Sequence, residues 1–157
     1  MNYKDLDIWK LANDIAIEIH EMTLNDLPGF EKYESGSQIR RSSKSVKSNI
    51  VEGFGRRESK KEFLQFLRYA LGSNHETIDH LETLFSMGSL TNLNKYNYLR
   101  GKLNELGKKL TMFIKQSKKN TGSESIIIHL PSIIYHLSSI CYYGKFYIFA
   151  PPARMAE

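Results

Sequence analysis

The side chains best equipped for chemistry in this chain are cations. Arg40, Arg41, Lys44 and Lys47 fall within eight positions, and Arg56, Arg57, Lys60 and Lys61 fall within six. Lys108 and Lys109, followed by Lys115, Lys118 and Lys119, form a third group. Arg and Lys neutralise phosphates and release their counterions, giving salt-dependent affinity that is largely indifferent to base sequence. Arg40, Arg41, Lys44, Lys47, Arg56, Arg57, Lys60, Lys61, Lys108 and Lys109 are therefore the expected nucleic-acid contacts. The bland alternative is a solvated face that pairs with acidic residues elsewhere in the chain.

Other constellations give less. Gly53-Phe54-Gly55-Arg56 suggests a phosphate loop, but the full glycine pattern is missing and no strand precedes it, so a helix end and turn is expected. In His75-Glu76-Thr77-Ile78-Asp79-His80 the two histidines are five apart, which on a helix splays them by about 140°. Metal binding would favour a four-residue spacing. Glu52 and Glu62 sit inside the basic block as an ion-pairing and a capping residue, whereas metal-dependent nucleolysis needs several convergent carboxylates. Cys141 has no evident base beside it. No catalytic group, metal or cofactor is expected, and the chain reads as non-catalytic.

The elements that must position these cations follow from charge and hydropathy. The chain has 157 residues, 22 basic against 17 acidic, for a formal net charge of +5. That is one domain's worth of sequence, able to bury a core without disulfides. The charge is segregated. Residues 1–37 hold three basic and eight acidic side chains, and residues 38–68 hold nine and three. Residues 69–94 hold none and three, and residues 95–119 hold eight and one. A single cysteine fits a reducing compartment, and the first residues lack the pattern of a signal peptide, so a cytoplasmic protein is expected.

Four amphipathic helices are predicted. Leu6, Trp9, Ala12, Ala16 and Ile19 space a helix over 5–24, broken by Asp26, Pro28 and Gly29. Ile39, Ser43, Val46 and Ile50 space a second over 37–54, with an N-cap in Ser35-Gly36-Ser37 and an end at Gly53 and Gly55. Small Ser42, Ser45 and Ser48 would permit close helix approach, and Val51 falls among the basic residues as a possible contact between copies. Ser59 and Glu62 form a capping box before Phe63, Phe66, Leu67 and Ala70, opening a third helix that Gly88 stops. Asn74 interrupts that helix's apolar stripe and needs a buried partner, for which Asn49 is suggested. Leu99, Leu103, Leu106, Leu110, Phe113 and Ile114 space the fourth helix over 93–118, with Gly101 and Gly107 weakening it. The fold class is all-α, an up-down-up-down four-helix bundle over 1–119. Residues 120–157 are a linker and apolar tail of uncertain structure, too interrupted by Pro131 and polar residues to read well as a membrane span.

The run Gln38-Ile39-Arg40-Arg41, Asn49-Ile50-Val51-Glu52-Gly53-Phe54-Gly55-Arg56-Arg57, Glu62-Phe63-Leu64-Gln65-Phe66-Leu67 and Ala70-Leu71-Gly72-Ser73, with Leu6, Trp9 and Ala12 before it, resembles the four-helix-bundle proteins encoded in 23S rRNA intervening sequences. The resemblance covers residues 3–118. It implies a homo-oligomer, a pentamer with a central channel, and an accessory protein that binds RNA or DNA rather than an enzyme. By similarity to accessory proteins of diversity-generating retroelements, it also implies a reverse transcriptase or a ribosome-related partner. Asn74-His75-Glu76-Thr77-Ile78 departs from the family pattern, and the tail has no counterpart in it. The alternative function is a protein–protein scaffold whose charge blocks only select subunit pairing.

Overall fold

The computed structural model describes residues 2–119. The expectations for the tail, Cys141 included, lie outside the described residues.

Asn2 and Asp5 close a reciprocal capping box around a 3-10 turn, Tyr3–Asp5. Helix α1 spans Asp7–Asn25, α2 spans Ser35–Gly55, α3 spans Lys60–Ser86 and α4 spans Leu93–Lys119. There is no strand among the described residues, and no helix there is long and apolar enough to cross a membrane. Each helix packs on its sequence neighbours and α4 closes back on α1, so α2 and α4 occupy diagonal corners. The direction alternates at every link. Phe63 meets Phe113 at one end of the α3–α4 pair, and Phe85 stacks on Tyr96 at the other.

The predicted stripes form the core. Ile8, Ile15, Ile19, Ile39, Val46, Ile50, Phe63, Leu67, Leu81, Leu84, Leu103, Leu106, Leu110 and Phe113 are all buried. Trp9 is half-buried and meets Tyr3 edge-on at 5.4 Å. Removing apolar surface of this kind from water stabilises by roughly 25 cal/mol per Å².

The helix ends differ in detail from expectation. Ser35, Gly36 and Ser37 are the first residues of α2 and do not cap it. Glu31 does that work from the preceding loop: its carboxylate accepts from the Ser35 N–H at 3.3 Å and its carbonyl from the Gly36 N–H at 2.8 Å. The other oxygen of Glu31 accepts from Ser89 Oγ at 3.0 Å, tying the α1–α2 loop to the α3–α4 loop. At α3, Ser59 Oγ accepts from the Glu62 N–H as predicted. Glu62 does not reach back to Ser59, whose N–H donates to the Arg56 carbonyl; the Glu62 carboxylate turns to Arg56 instead. Gly88, with φ at +75°, ends the α3 link in a conformation that glycine adopts without strain.

Asn74 and Asn49 do not pair. Asn74 is fully buried and donates to the Leu103 carbonyl at 3.1 Å, whereas Asn49 donates within α2 to Ser45. The serines of α2 face α3 more than solvent. Ser42 Oγ accepts from Thr77 at 2.9 Å, and Ser45 and Ser73 share a hydrogen bond at 2.9 Å. Ser48 is exposed, and Val51 is half-buried.

Candidate nucleic-acid interface

The ten predicted contacts do not form one surface. Helical phase puts Arg40, Lys44 and Lys47 on the outer side of α2. Two of them nevertheless reach sideways to α1 and its loop. Arg40 donates to Thr23 Oγ1 at 2.9 Å and to the Lys32 carbonyl at 2.7 Å, and Lys47 donates to Asn13 Oδ1 at 3.3 Å. Arg40 therefore staples the first loop. Arg41 and Lys44 are exposed, with no partner among the described residues.

The turn between α2 and α3 is internally tied. Arg56 pairs with Glu52 at 2.6 Å and Glu62 at 3.3 Å, and lies over the Phe66 ring. Those hydrogen bonds, Glu52 foremost, raise the Arg56 guanidinium further above its ordinary value. Arg57 donates to the Phe54 carbonyl at 2.8 Å and covers the Phe54 ring at 4.3 Å. Lys60 donates to the Lys118 carbonyl at 3.3 Å, a favourable place for a cation at the last turn of α4. Lys61 is exposed and has no partner among the described residues.

On α4, Lys109 pairs with Glu105 at 3.2 Å, whereas Lys108 is exposed and unpaired among the described residues. Since α2 and α4 are diagonal, Lys108 belongs to a different side of the bundle from Arg41 and Lys44. Lys108 lines a groove of about 680 Å³ between α3 and α4, together with Asn74, His75, Ile78, Leu103 and Met112 among others.

That groove and the helix faces that continue it draw together residues the sequence reading named separately with Arg68 and Glu82, which it did not single out. His75 and Glu82 line it from α3. Lys61, Arg68, His75 and Glu82 recur every seven residues, which is two helical turns, so Lys61 and Arg68 continue the same stripe. Lys108 and Thr111 line it from α4, and Lys115 and Lys118 repeat them seven residues on. The Lys60 bond to the Lys118 carbonyl brings these two stripes to one end of the bundle. Arg68 donates to Gln65 Oε1 at 3.4 Å and has no ion pair among the described residues, where Lys115 and Lys118 likewise have exposed, unpaired side chains. The seven-residue recurrence of basic residues was the available signal.

The two predicted histidines diverge. His75 faces the groove, and His80 sits beside Glu76, with 3.7 Å between Nε2 and Oε1.

Fold and surface together define a small antiparallel four-helix bundle with cations on separate sides that are unpaired among the described residues. The family model for the 23S rRNA-intervening sequence protein matches residues 4–112, and the chain belongs to that family. A solved structure from Bacteroides thetaiotaomicron VPI-5482, described as a protein of unknown function from the S23 ribosomal protein family, shares the fold. Its TM-score is 0.61 at 24% identity, over 69% of this chain and 95% of that one. Comparison with curated proteins returned no match.

Proposed function

We propose that this protein is a non-catalytic, homo-oligomeric bundle that binds the backbone of RNA or DNA through its basic surfaces. The observation that carries the reading is the set of exposed cations with no counter-ion among the described residues: Arg41, Lys44, Lys61, Lys108, Lys115 and Lys118. Holding so many like charges unpaired on a small bundle costs self-repulsion, which a polyanion relieves. Membership of a family named for an intervening sequence of ribosomal RNA supports the same reading and the cytoplasm as its setting.

Self-association is supported by apolar side chains left in water on α1. Ile17 and Leu24 are 50% and 44% exposed and lie two turns apart, on the side of α1 away from the core. A ring of copies, the pentamer that the family resemblance suggests, would repeat each basic surface and add avidity. A reverse transcriptase or a ribosome-associated protein is the partner class this reading admits.

The test is binding of the purified chain to generic RNA and DNA at two salt concentrations, with its mass in solution measured in parallel. Affinity should fall steeply with salt, and the mass should exceed that of one 18.2 kDa chain. The exposed α1 pair also favours a second reading, a scaffold that binds protein alone. An assembled protein with no salt-dependent affinity for either nucleic acid would establish it and overturn the first.

A further inference from the structure

The groove between α3 and α4 is polarised along its length. Toward the end where α3 starts and α4 finishes, Lys108 lines it, and the helical stripes run on beyond it through Lys61, Arg68, Lys115 and Lys118. At the far end its rims carry Asp79 and Glu82, with Arg100 held to Glu82 at 2.7 Å. The rest of the lining is largely apolar, with Ile78, Leu103 and Met112, and also holds His75, Asn104 and Thr111. Asn74 also lines this stretch, and its carbonyl oxygen is buried with no hydrogen-bond partner among the described residues.

A phosphate gains nothing from an apolar floor and is repelled by Asp79, while Arg100 offsets the charge of Glu82. A nucleobase is suited to both: its face packs on aliphatic side chains, and its amino groups donate to carboxylate and carboxamide oxygens. A duplex keeps its bases stacked and paired, so only an unpaired nucleotide can present its base to a groove of this size. We infer that the α3–α4 groove is a single-stranded nucleic-acid site, with phosphates along the basic rims and an unpaired base on the apolar floor. The inference rests on the proposed function and assigns it to one of the bundle's sides. From Lys108 to Lys118 the basic rim of α4 rises about 15 Å at 1.5 Å per residue. That is a track for a short stretch of backbone, which limits the number of phosphates held.

The salt dependence sets the expected effect. Each phosphate contact with a single strand contributes roughly 0.7 to the log–log slope, so losing one weakens binding about fivefold at 0.1 M salt and losing two about 25-fold. The experiment uses the full chain and a 12-nucleotide strand, as RNA and as DNA, each alone and annealed to its complement. Lys108→Ala/Lys115→Ala should weaken single-strand binding about 25-fold and lower the slope by about 1.4. Lys10→Ala/Lys95→Ala removes the same charge elsewhere and should change it less than twofold. Asn104→Trp fills the groove from an exposed position on its rim. It should weaken single-strand binding about tenfold and leave duplex binding unchanged.

Duplex binding as tight as single-strand binding overturns the inference. So does a loss confined to Arg41→Ala/Lys44→Ala, or an Asn104→Trp chain that binds the single strand normally. Each of these leaves the proposed function standing, since nucleic acid is still bound. Absence of binding to any probe refutes the proposed function itself. Helical circular dichroism of each variant identifies a loss that comes from misfolding, and for a misfolded Asn104→Trp chain the Lys108/Lys115 pair decides.

Discussion

Replacing Lys102 by methionine tests how the bundle closes. Lys102 Nζ donates to Glu18 Oε1 at 2.7 Å, joining α4 to α1, and the Tyr98 hydroxyl donates to the same oxygen at 3.0 Å. The Lys102 and Glu18 side chains are 24% and 23% exposed, so solvent screens the pair only partly. Burial by itself would lower the ammonium's pKa. The bonds to Glu18 and Tyr98 outweigh it and push the pKa from the ordinary 10.5 up to about 12. That rise corresponds to about 2 kcal/mol of added stability for the charged form in the folded chain. Because the folded value is the higher one, the contribution is complete below about pH 10.5 and disappears as pH rises through about 12. Urea unfolding, followed by circular dichroism at fixed protein concentration, should show Lys102→Met less stable by about 2 kcal/mol at pH 9 and by less than about 1 kcal/mol at pH 11.5. Tyr98→Phe, with Lys102 kept, separates loss of the phenol from loss of the ammonium. A gap that stays constant from pH 8 to 11.5, or no gap at all, would refute the ion pair as its source.

Two further outcomes probe the helices. Ser59→Ala removes the acceptor for the Glu62 N–H and should cost about 0.5–2 kcal/mol, whereas Leu81→Ala opens a cavity in the core and should cost about 2–5 kcal/mol. Urea titrations that place the Ser59 change as the more damaging would contradict this account of α3. At Gly101 an added methyl meets nothing within 4 Å, but at Gly107 it comes to 3.1 Å from Asn74 Nδ2. Gly101→Ala should therefore stabilise by about 0.5–1 kcal/mol from helix propensity, and Gly107→Ala should gain less or lose, as thermal unfolding of the two chains can show.

Periodicity made the fold legible. An apolar side chain every third or fourth position has one core-facing phase, and Ile39, Val46, Leu67, Leu103 and Leu110 are buried as that phase requires. What periodicity does not carry is the choice among polar partners. Asn74 can satisfy itself on any facing carbonyl or amide, and the glycine at 107 brings α4 close enough for the Leu103 carbonyl to win over Asn49. The start of α2 differs from the predicted one for a related reason. Ser35 and Ser37 have the composition of caps, but Glu31 reaches the same N–H groups from a loop whose path the sequence does not show. Arginines and lysines are harder still, because a long side chain leaves the direction its Cα dictates. Arg40 and Lys47 share a phase with Lys44 and yet bond to α1 and its loop. The basic rims of the α3–α4 groove needed the tertiary pairing of two helices, although the seven-residue recurrence of Lys61, Arg68, Lys108 and Lys115 was present in the sequence.

The location of the groove follows from the sizes of side chains at the two sides of α3. Toward α2, the contact is made by small residues: a methyl added at Gly53 would come within 3.0 Å of Phe66 Cβ, and hydroxyls meet directly at Ser42–Thr77 and Ser45–Ser73. Helices approach closely across such a surface, and α2–α3 is the most extensive helix contact in the bundle. Toward α4, Gly107 and Asn74 approach closely, flanked by Ile78, Leu103 and Met112. Large aromatic pairs, Phe63–Phe113 and Phe85–Tyr96, hold its two ends, and α3–α4 is a smaller contact than α2–α3. The volume left open lies beside the rims where Lys108 and its neighbours are unpaired. A bundle packed equally on all four sides would present its cations on a closed surface, able to hold backbone but with no place for a base. On the proposed reading, the uneven packing of α3 is what would separate a general polyanion binder from one that distinguishes single strands from duplex.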